Sequence, residues 1–147
     1  MRWRLVRIAA ACAAAIATLA YLHDPSWLID QTTGLGRWEQ AADGSRFRWA
    51  GAHASFFVRS DTPAFDLPVS TTFDEHDPRP VMVTVSVDDV TAGRVVLTGS
   101  GWQRLRIRLP RPASRRVRRV DVRASVTRDE NRAVRLGPPE AVAPSGG

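Results

Sequence analysis

The 147-residue chain has no lysine, a single cysteine and only three histidines. Cys12, the one cysteine, lies in an apolar N-terminal run, so the folded domain has no disulfide in any compartment. His23, His53 and His76 do not have the spacing of metal ligands, and the chain lacks a Gly-x-Ser-x-Gly elbow and a phosphate-binding glycine loop. We therefore expect a non-enzymatic protein without cofactor or resident metal. A hydrolase is the alternative that two carboxylates about 5–10 Å apart in a concave site would support.

Acidic residues cluster in two places that invite a metal-site or catalytic interpretation. Within the segment Asp74–Pro80, three carboxylates surround His76 and offer the oxygen ligands that Ca²⁺ takes. We favour a solvated acidic loop there. Asp88 and Asp89 are better explained as turn formers, because aspartate adopts turn geometry readily. Neither cluster is predicted to be a site.

The N-terminus has the layout of a secretory signal or an uncleaved signal-anchor. Arginines at positions 2, 4 and 7 precede the charge-free run Ile8–Leu22. As a helix this run spans about 22 Å, short of the ~30 Å hydrocarbon core, although flanking residues can extend it. The basic end stays in the cytoplasm. We therefore expect a single-pass protein of the bacterial inner membrane with an extracytoplasmic C-terminal domain, or a secreted protein if the leader is cleaved.

Short alternating segments fill the rest of the chain. The clearest is Val81–Val87, in which every second residue is valine, whereas Pro68 demotes the segment Phe65–Thr72 to an edge strand or a bulge. Eight or nine such strands predict an all-β fold, an antiparallel two-sheet sandwich of jelly-roll type. The expected divisions are a signal-anchor helix at 1–22, a linker at 23–34, the sandwich at 35–137 and a disordered tail at 138–147.

A hairpin is predicted within Leu35–Val58, because Asp43-Gly44 supplies both positive-φ positions of a two-residue type I′ turn. That turn places Trp38 opposite Trp49, Gln40 opposite Phe47 and Glu39 opposite Arg48. Side chains alternate between faces, so one face collects the aromatic residues and the other the charged ones. We expect the aromatic face to belong to the core.

Arginine is concentrated late in the chain. Nine arginines and one acid lie between Arg104 and Arg123. Arg104, Arg106 and Arg108 alternate with apolar residues and share one face of a strand, and Arg123 joins that face if its strand is a neighbour. Such a face can bind phosphate or carboxylate groups bidentately. Outside the cytoplasm its ligands would be anionic lipid head groups or acidic glycans, not nucleic acid. The alternative is that these arginines only solvate an exposed sheet.

Trp102 shares the parity of these arginines, which suggests a ring on the arginine side of the sheet. A sugar ring can stack on such an indole while nearby arginines bind its hydroxyl groups. The competing interpretation, which we favour, is a tryptophan tucked under the sandwich edge or stacked on an arginine. The site residues considered for a ligand are therefore Trp102, Arg104, Arg106, Arg108 and Arg123.

Several short segments together resemble a β-sandwich of bacterial envelope proteins. They are Gly36-x-Trp38-Glu39, Phe47-Arg48-Trp49, Ala54-x-Phe56, Pro80-Val81-x-Val83-x-Val85, Trp102 and Leu109-Pro110. The pattern is similar to the carbohydrate-binding-module-like jelly rolls appended to membrane glycosyltransferases. This resemblance implies a membrane-tethered accessory domain that binds envelope glycan or supports a membrane glycosyltransferase. The alternative is a protein-interaction domain that docks on a membrane partner through its arginine-rich sheet.

Overall fold

A computed structural model describes residues 2–23, 25–73, 79–110, 115–128 and 132–142. A long helix and a short 3₁₀ helix precede the strands. The helices are α1 (Arg2–His23) and the 3₁₀ helix Ser26–Asp30, and the strands are β1 (Thr32–Gln40), β2 (Arg46–Arg59), β3 (Ala64–Thr71), β4 (Val81–Val87), β5 (Val90–Leu97), β6 (Gln103–Arg108), β7 (Val117–Ala124), β8 (Val134–Leu136) and β9 (Glu140–Val142).

Helix α1 carries the apolar run, and its described side chains are exposed. Within the described residues it is the one helix long and apolar enough to cross a membrane. Its 22 residues span about 33 Å, close to the thickness of a bilayer core. The helix is compatible with a membrane anchor or with a signal sequence.

All described strand pairs are antiparallel, which confirms the all-β prediction. Hydrogen bonds join the strands in the order β5-β4-β7-β2-β8-β3-β6, with β1 added to β2 and β9 to β3. Strand β2 connects the two halves, because Arg48–Ala50 pair with β8 and His53–Arg59 pair with β7. The two predicted sheets are therefore one curled sheet whose halves face each other.

The ends of this sheet meet across the core. A Cβ added to Gly93 of β5 would lie 2.6 Å from Cδ1 of Ile107 on β6, although these strands stand at opposite ends of the strand order. The four valines of β4 are fully buried between the halves, as their alternation predicts. Burying a valine side chain stabilises a fold by about 1.5–3 kcal/mol, so this strand is central to the core.

Pro68 lies in an internal strand. Of the two predicted alternatives, an edge strand or a bulge, the edge strand is therefore wrong. Strand β3 pairs with β6 on one side and with β8 and β9 on the other. Proline lacks a backbone N–H, and at this position the pairing strand changes from β8 to β9. Gly137, between β8 and β9, donates its N–H to the Pro68 carbonyl, and a Cβ on Gly137 would lie 2.8 Å from Pro68 Cβ. The interruption of strand pairing between β8 and β9 and the lack of a side chain at Gly137 together accommodate the proline.

The predicted register of the first hairpin is wrong by one residue. Trp38 pairs with Arg48 and Glu39 with Phe47. The Ala41 carbonyl accepts from Gly44 N–H, and Gly44 has a positive φ of 83° whereas Asp43 does not. These features define a three-residue loop with a glycine bulge. One carboxylate oxygen of Asp43 accepts from both the backbone and the hydroxyl of Ser45, which stabilises this longer loop.

The register shift changes the environment of both tryptophans, because a slip of one residue exchanges the faces of a strand. Trp38 is 42 % exposed and lies among arginines, so its assignment to the core is wrong. Trp49 is half-buried beside Phe47, outside the core cluster. Trp49 Nε1–H donates to Glu39 at 3.3 Å, and the expected Glu39–Arg48 pair does not form.

Other predictions on turns and boundaries have mixed outcomes. Asp88 and Asp89 form the two-residue turn between β4 and β5 with φ values of 47° and 68°, which confirms them as turn formers. Strand β1 begins at Thr32, inside the expected linker, and β9 lies inside the expected tail and pairs with β3. Residues 74–78 of the acidic loop and residues 143–147 lie outside the described residues.

Candidate functional site

Strand β6 presents its arginines outward and its apolar residues inward. Arg104, Arg106 and Arg108 are exposed, whereas Ile107 is fully buried. Strand β6 pairs with β3 along one edge, so the side chains of β3 are the cross-strand partners of these arginines. This alternation is the one expected from the sequence.

Two of these arginines face carboxylates. Arg106 donates from Nε and Nη2 to the two carboxylate oxygens of Asp66, both at 2.9 Å. This bidentate bond lowers the pKa of Asp66 and raises the pKa of Arg106. Arg104 and Glu140 approach to 3.7 Å, and both side chains are about half exposed or more. Arg106 is therefore fixed, while Arg104 is only loosely held.

Arg123 does not join this face, because the condition that its strand neighbours β6 is not met. It lies on β7, opposite His53 of β2 and Thr84 of β4. Strands β2, β8 and β3 separate β7 from β6 in the sheet. Strand order is a tertiary property that alternation within one strand does not reveal.

Trp102, just before β6, lies in an aromatic cluster on the outer surface of β2, β8 and β3. Cζ of Arg135 is 5.3 Å from the Trp102 ring centroid and 5.6 Å from that of Phe47. Phe47 packs edge-on against Trp49 at 5.6 Å, and Arg132 lies 5.4 Å above Trp49. Trp102 is therefore stacked on an arginine, as the favoured interpretation of the sequence expects.

Arg135 is the centre of this cluster. Its Nη2 donates to Ser70 Oγ at 2.7 Å, to the Ser100 carbonyl at 3.0 Å and to the Thr71 carbonyl at 3.3 Å. Its Nε is buried and has no hydrogen-bond partner among the described residues. Burial lowers the pKa of Arg135, and the charge of Asp43 opposes that shift. Arg135 is not among the site residues expected from the sequence, because it lies on a three-residue strand far from the arginine-rich stretch. The alternation of Val134, Arg135 and Leu136 is the one signal that the sequence offers for it.

A groove of about 360 Å³ runs beside Trp102 on the same surface. Its walls combine an indole, two guanidinium groups, one carboxylate and two proline rings. The lining residues are Ser45, Arg46, Pro68, Trp102, Arg104, Gly137, Pro138 and Glu140. Of the expected site residues, the groove brings together Trp102 and Arg104, whereas Arg106 and Arg108 lie farther along β6.

The outer face of the other half carries a network of charges centred on Asp121. Its Oδ1 accepts from Ser55 Oγ at 2.9 Å and lies 3.1 Å from His53 Nε2, and its Oδ2 accepts from Arg119 Nε at 2.8 Å. Burial opposes ionisation, but these bonds outweigh it and lower the pKa of Asp121. Ser55 and His53 both bond to the carboxylate and not to each other, so the network is not a nucleophilic triad.

Two further ion pairs form on β7. Arg119 lies on the same face as Asp121, whereas Arg118 has the parity of the buried Val120 and Val122 and points to the inner side of the sheet. Arg118 pairs with Asp88 and also donates to the Pro110 carbonyl, and Arg119 pairs with Asp89 as well as with Asp121. Among the described residues, no three His, Cys, Asp or Glu side chains are grouped closely enough to hold a metal ion. The network therefore consists of ion pairs and hydrogen bonds.

Comparison with known proteins gives no family for this chain, and its matches are to solved structures of low sequence identity. No protein-family model matches the chain, and no curated protein matches it. Two solved structures of the CBM51-2 and INT domains of Clostridium perfringens ZmpB, one in complex with GlcNAc, are each 13 % identical over 76 % of this chain, with TM-scores of 0.46 and 0.49. A glycoside hydrolase family 43 arabinoxylan arabinofuranohydrolase from Bacillus subtilis is 11 % identical over 75 % of this chain, with a TM-score of 0.40.

The chain spans only about a quarter of the length of these structures, which it covers to 27 %, 29 % and 23 %.

Proposed function

We propose that this chain is a non-enzymatic extracytoplasmic β-sandwich, tethered by α1, that binds glycan in the groove beside Trp102. The observation that carries the proposal is the composition of the groove wall, where an indole adjoins a loosely paired arginine and a carboxylate. Sugars present apolar C–H faces together with hydroxyl groups. A surface that binds them needs an aromatic ring beside donors and acceptors.

The polar groups of the groove match hydroxyl recognition. The guanidinium of Arg104 only donates hydrogen bonds, and the carboxylate of Glu140 only accepts them. Their separation of 3.7 Å is longer than a hydrogen bond, so a hydroxyl group can bridge the pair without breaking a strong contact. Glu140 is the one carboxylate among the described lining residues, whereas glycoside hydrolysis uses a pair. These features favour binding over catalysis.

The location follows from the charge asymmetry around α1. Arginines at positions 2, 4 and 7 precede the apolar run and retain its N-terminal end in the cytoplasm. The sheet that follows α1 is then outside, where envelope glycans and the extracytoplasmic surfaces of membrane glycosyltransferases are accessible. In this proposal the chain supplies such an enzyme with a glycan-holding surface.

The test uses the full chain in lipid nanodiscs and measures binding of purified envelope polysaccharides by calorimetry. We expect Trp102→Ala and Arg104→Gln to weaken binding at least tenfold. Arg94→Gln, a matched change at an exposed arginine on β5 outside the groove, should leave the affinity unchanged. Absence of binding to every polysaccharide, or equal losses in Arg104→Gln and Arg94→Gln, would contradict the proposal.

A second candidate function is docking of a membrane protein on the arginine face of β6. The exposure of Arg104, Arg106 and Arg108 along one strand favours it. Pull-down from solubilised membranes distinguishes the two functions. A specific protein partner that is lost in an Arg104→Glu/Arg108→Glu double variant, without dependence on added glycan, would support docking.

A further inference from the structure

A second cavity, of about 150 Å³, lies on the opposite side of the β2–β8 pair from the aromatic cluster. Its walls are largely apolar, and a single guanidinium enters it. The lining residues are Ile29, Thr32, Leu35, Trp38, Arg48, Phe56, Phe57, Leu136, Gly137 and Pro139. The glycan groove shares only Gly137 with it, so the two are separate sites.

Arg48 is a half-buried cation without a counter-charge. Its Nε donates to the Gly36 carbonyl at 2.8 Å and its Nη2 to Thr32 Oγ1 at 3.3 Å, and its Cζ lies 5.2 Å from the Trp38 ring centroid. Burial lowers the pKa of Arg48. No carboxylate of the described residues lies within 4.0 Å of it, in contrast to Arg106, Arg118 and Arg119. An anion in this cavity would supply the missing charge.

The cavity lies close to the membrane if α1 is an anchor. Ile29, in the 3₁₀ helix, lines the cavity and follows the end of α1 at His23 by six residues. Six residues reach at most about 20 Å. Trp27 of the same 3₁₀ helix is 50 % exposed, and tryptophan is the residue type enriched at membrane interfaces. The mouth of the cavity is therefore within reach of the lipid head groups.

We propose that this cavity binds an anionic phospholipid of the membrane that α1 enters, with the lipid phosphate on Arg48. The glycerol and first methylene groups pack on Leu35, Phe56 and Leu136. A lipid fits better than a free phosphate, because the remaining walls are apolar. Only a ligand with an apolar part removes that surface from water and so binds favourably to it. The proposal rests on the anchoring role of α1 in the proposed function and is independent of the glycan groove.

The test incorporates the full chain into nanodiscs of equal parts phosphatidylglycerol and phosphatidylcholine and counts retained lipids by native mass spectrometry. We expect the wild type to retain one phosphatidylglycerol and to release phosphatidylcholine. Arg48→Gln should lower that retention at least fivefold. Arg94→Gln removes an exposed arginine of β5 and should retain the lipid as the wild type does.

Arg48→Lys is the second variant, because it preserves the charge and the stem but not the forked donors. We expect intermediate retention from it, with an unfolding temperature near that of the wild type. Retention at the wild-type level in both Arg48 variants, or equal retention of the two lipids, would overturn the proposal. Displacement of the lipid by millimolar glycerol phosphate would also overturn it in favour of a free-phosphate site. Glycan binding measured in the same nanodiscs shows whether the proposed glycan site is wrong independently of the proposed lipid site.

Discussion

Two regions of the curled sheet, one around β7 and one around β8, use arginine in different ways. On the β7 side, Arg118 and Arg119 are paired with carboxylates of Asp88, Asp89 and Asp121. On the β8 side, arginines lie over aromatic rings: Arg135 over Trp102 and Phe47, and Arg132 over Trp49. The β7 region pairs these arginines with carboxylates, whereas those of the β8 region lie over aromatic rings, one of which lines a groove.

Because of this difference, we expect the two regions to contribute differently to the stability of the fold and to the binding of a ligand. A partly buried ion pair makes the fold depend on both partners, because the loss of one leaves the other desolvated and uncompensated. A guanidinium over an aromatic ring leaves no buried opposite charge behind when it is removed. We therefore expect substitutions in the β7 region to change stability and those in the β8 region to change ligand binding.

The largest expected effect is that of Arg118→Met, which keeps the stem but removes the charge. Arg118 is 8 % exposed, pairs with Asp88 and donates to the Pro110 carbonyl. Its loss leaves the Asp88 carboxylate without its principal partner, and we expect a cost of about 2–3 kcal/mol. Urea unfolding followed by circular dichroism measures it. A loss below about 1 kcal/mol would show that the pair contributes little and would remove the contrast between the regions.

A smaller effect is expected from Asp121→Asn, about 1–2 kcal/mol, because His53 and Arg119 are about half exposed and lose less than fully buried partners would. The carboxylate is also a source of pH dependence. Its pKa in the folded chain is below the ordinary value of about 3.9. The stability that it contributes is therefore complete above about pH 5 and is lost as the pH falls through the folded pKa.

The measurement is the difference in unfolding free energy between wild type and Asp121→Asn at several pH values from 7 to 2. Asp43 and Asp66, whose pKa values are also lowered, remain in both proteins, so their contributions cancel. We expect the difference to be constant down to about pH 5 and to shrink below it. A difference that does not change with pH would mean that Asp121 has the same pKa in the folded and unfolded chains.

Local features of these regions could be predicted from the sequence, whereas features that depend on tertiary structure could not. Alternation within β4 and β6 sorts their residues correctly into core and surface, since the side-chain period of a strand is a local property. Asp88 and Asp89 form a turn for an equally local reason, because aspartate tolerates the left-handed conformation that both adopt. These features were predictable.

The hairpin register and the cluster around Arg135 were not predictable in the same way. Asp43-Gly44 is compatible with loops of two or three residues, and the two contacts from Ser45 to the Asp43 side chain accompany the longer one. The neighbours of Arg123 and Arg135 depend on which strands pair across the sheet. No pattern within a single strand specifies that order, so the arginine-rich stretch suggested a larger site than the fold assembles.

The smallest effect on stability is expected from Arg135→Met, the same substitution as Arg118→Met but in the β8 region. The Ser70 hydroxyl donates its one proton to the Ser100 carbonyl at 2.7 Å, so these two groups keep a partner when Arg135 is replaced. Methionine packs favourably on aromatic rings, and Arg135 lies over those of Phe47 and Trp102. We expect an unfolding free energy within about 1 kcal/mol of the wild type.

The same variant should weaken glycan binding, because Trp102 loses the guanidinium on which it is stacked and the groove wall becomes less ordered. Arg118→Met, which lies in the β7 region, should leave the affinity of its folded fraction unchanged. Urea unfolding and calorimetry on the two variants side by side test the contrast directly. If Arg135→Met destabilises the fold as much as Arg118→Met while binding is retained, then the β8 region serves stability as well, and the groove beside it does not depend on the position of its tryptophan.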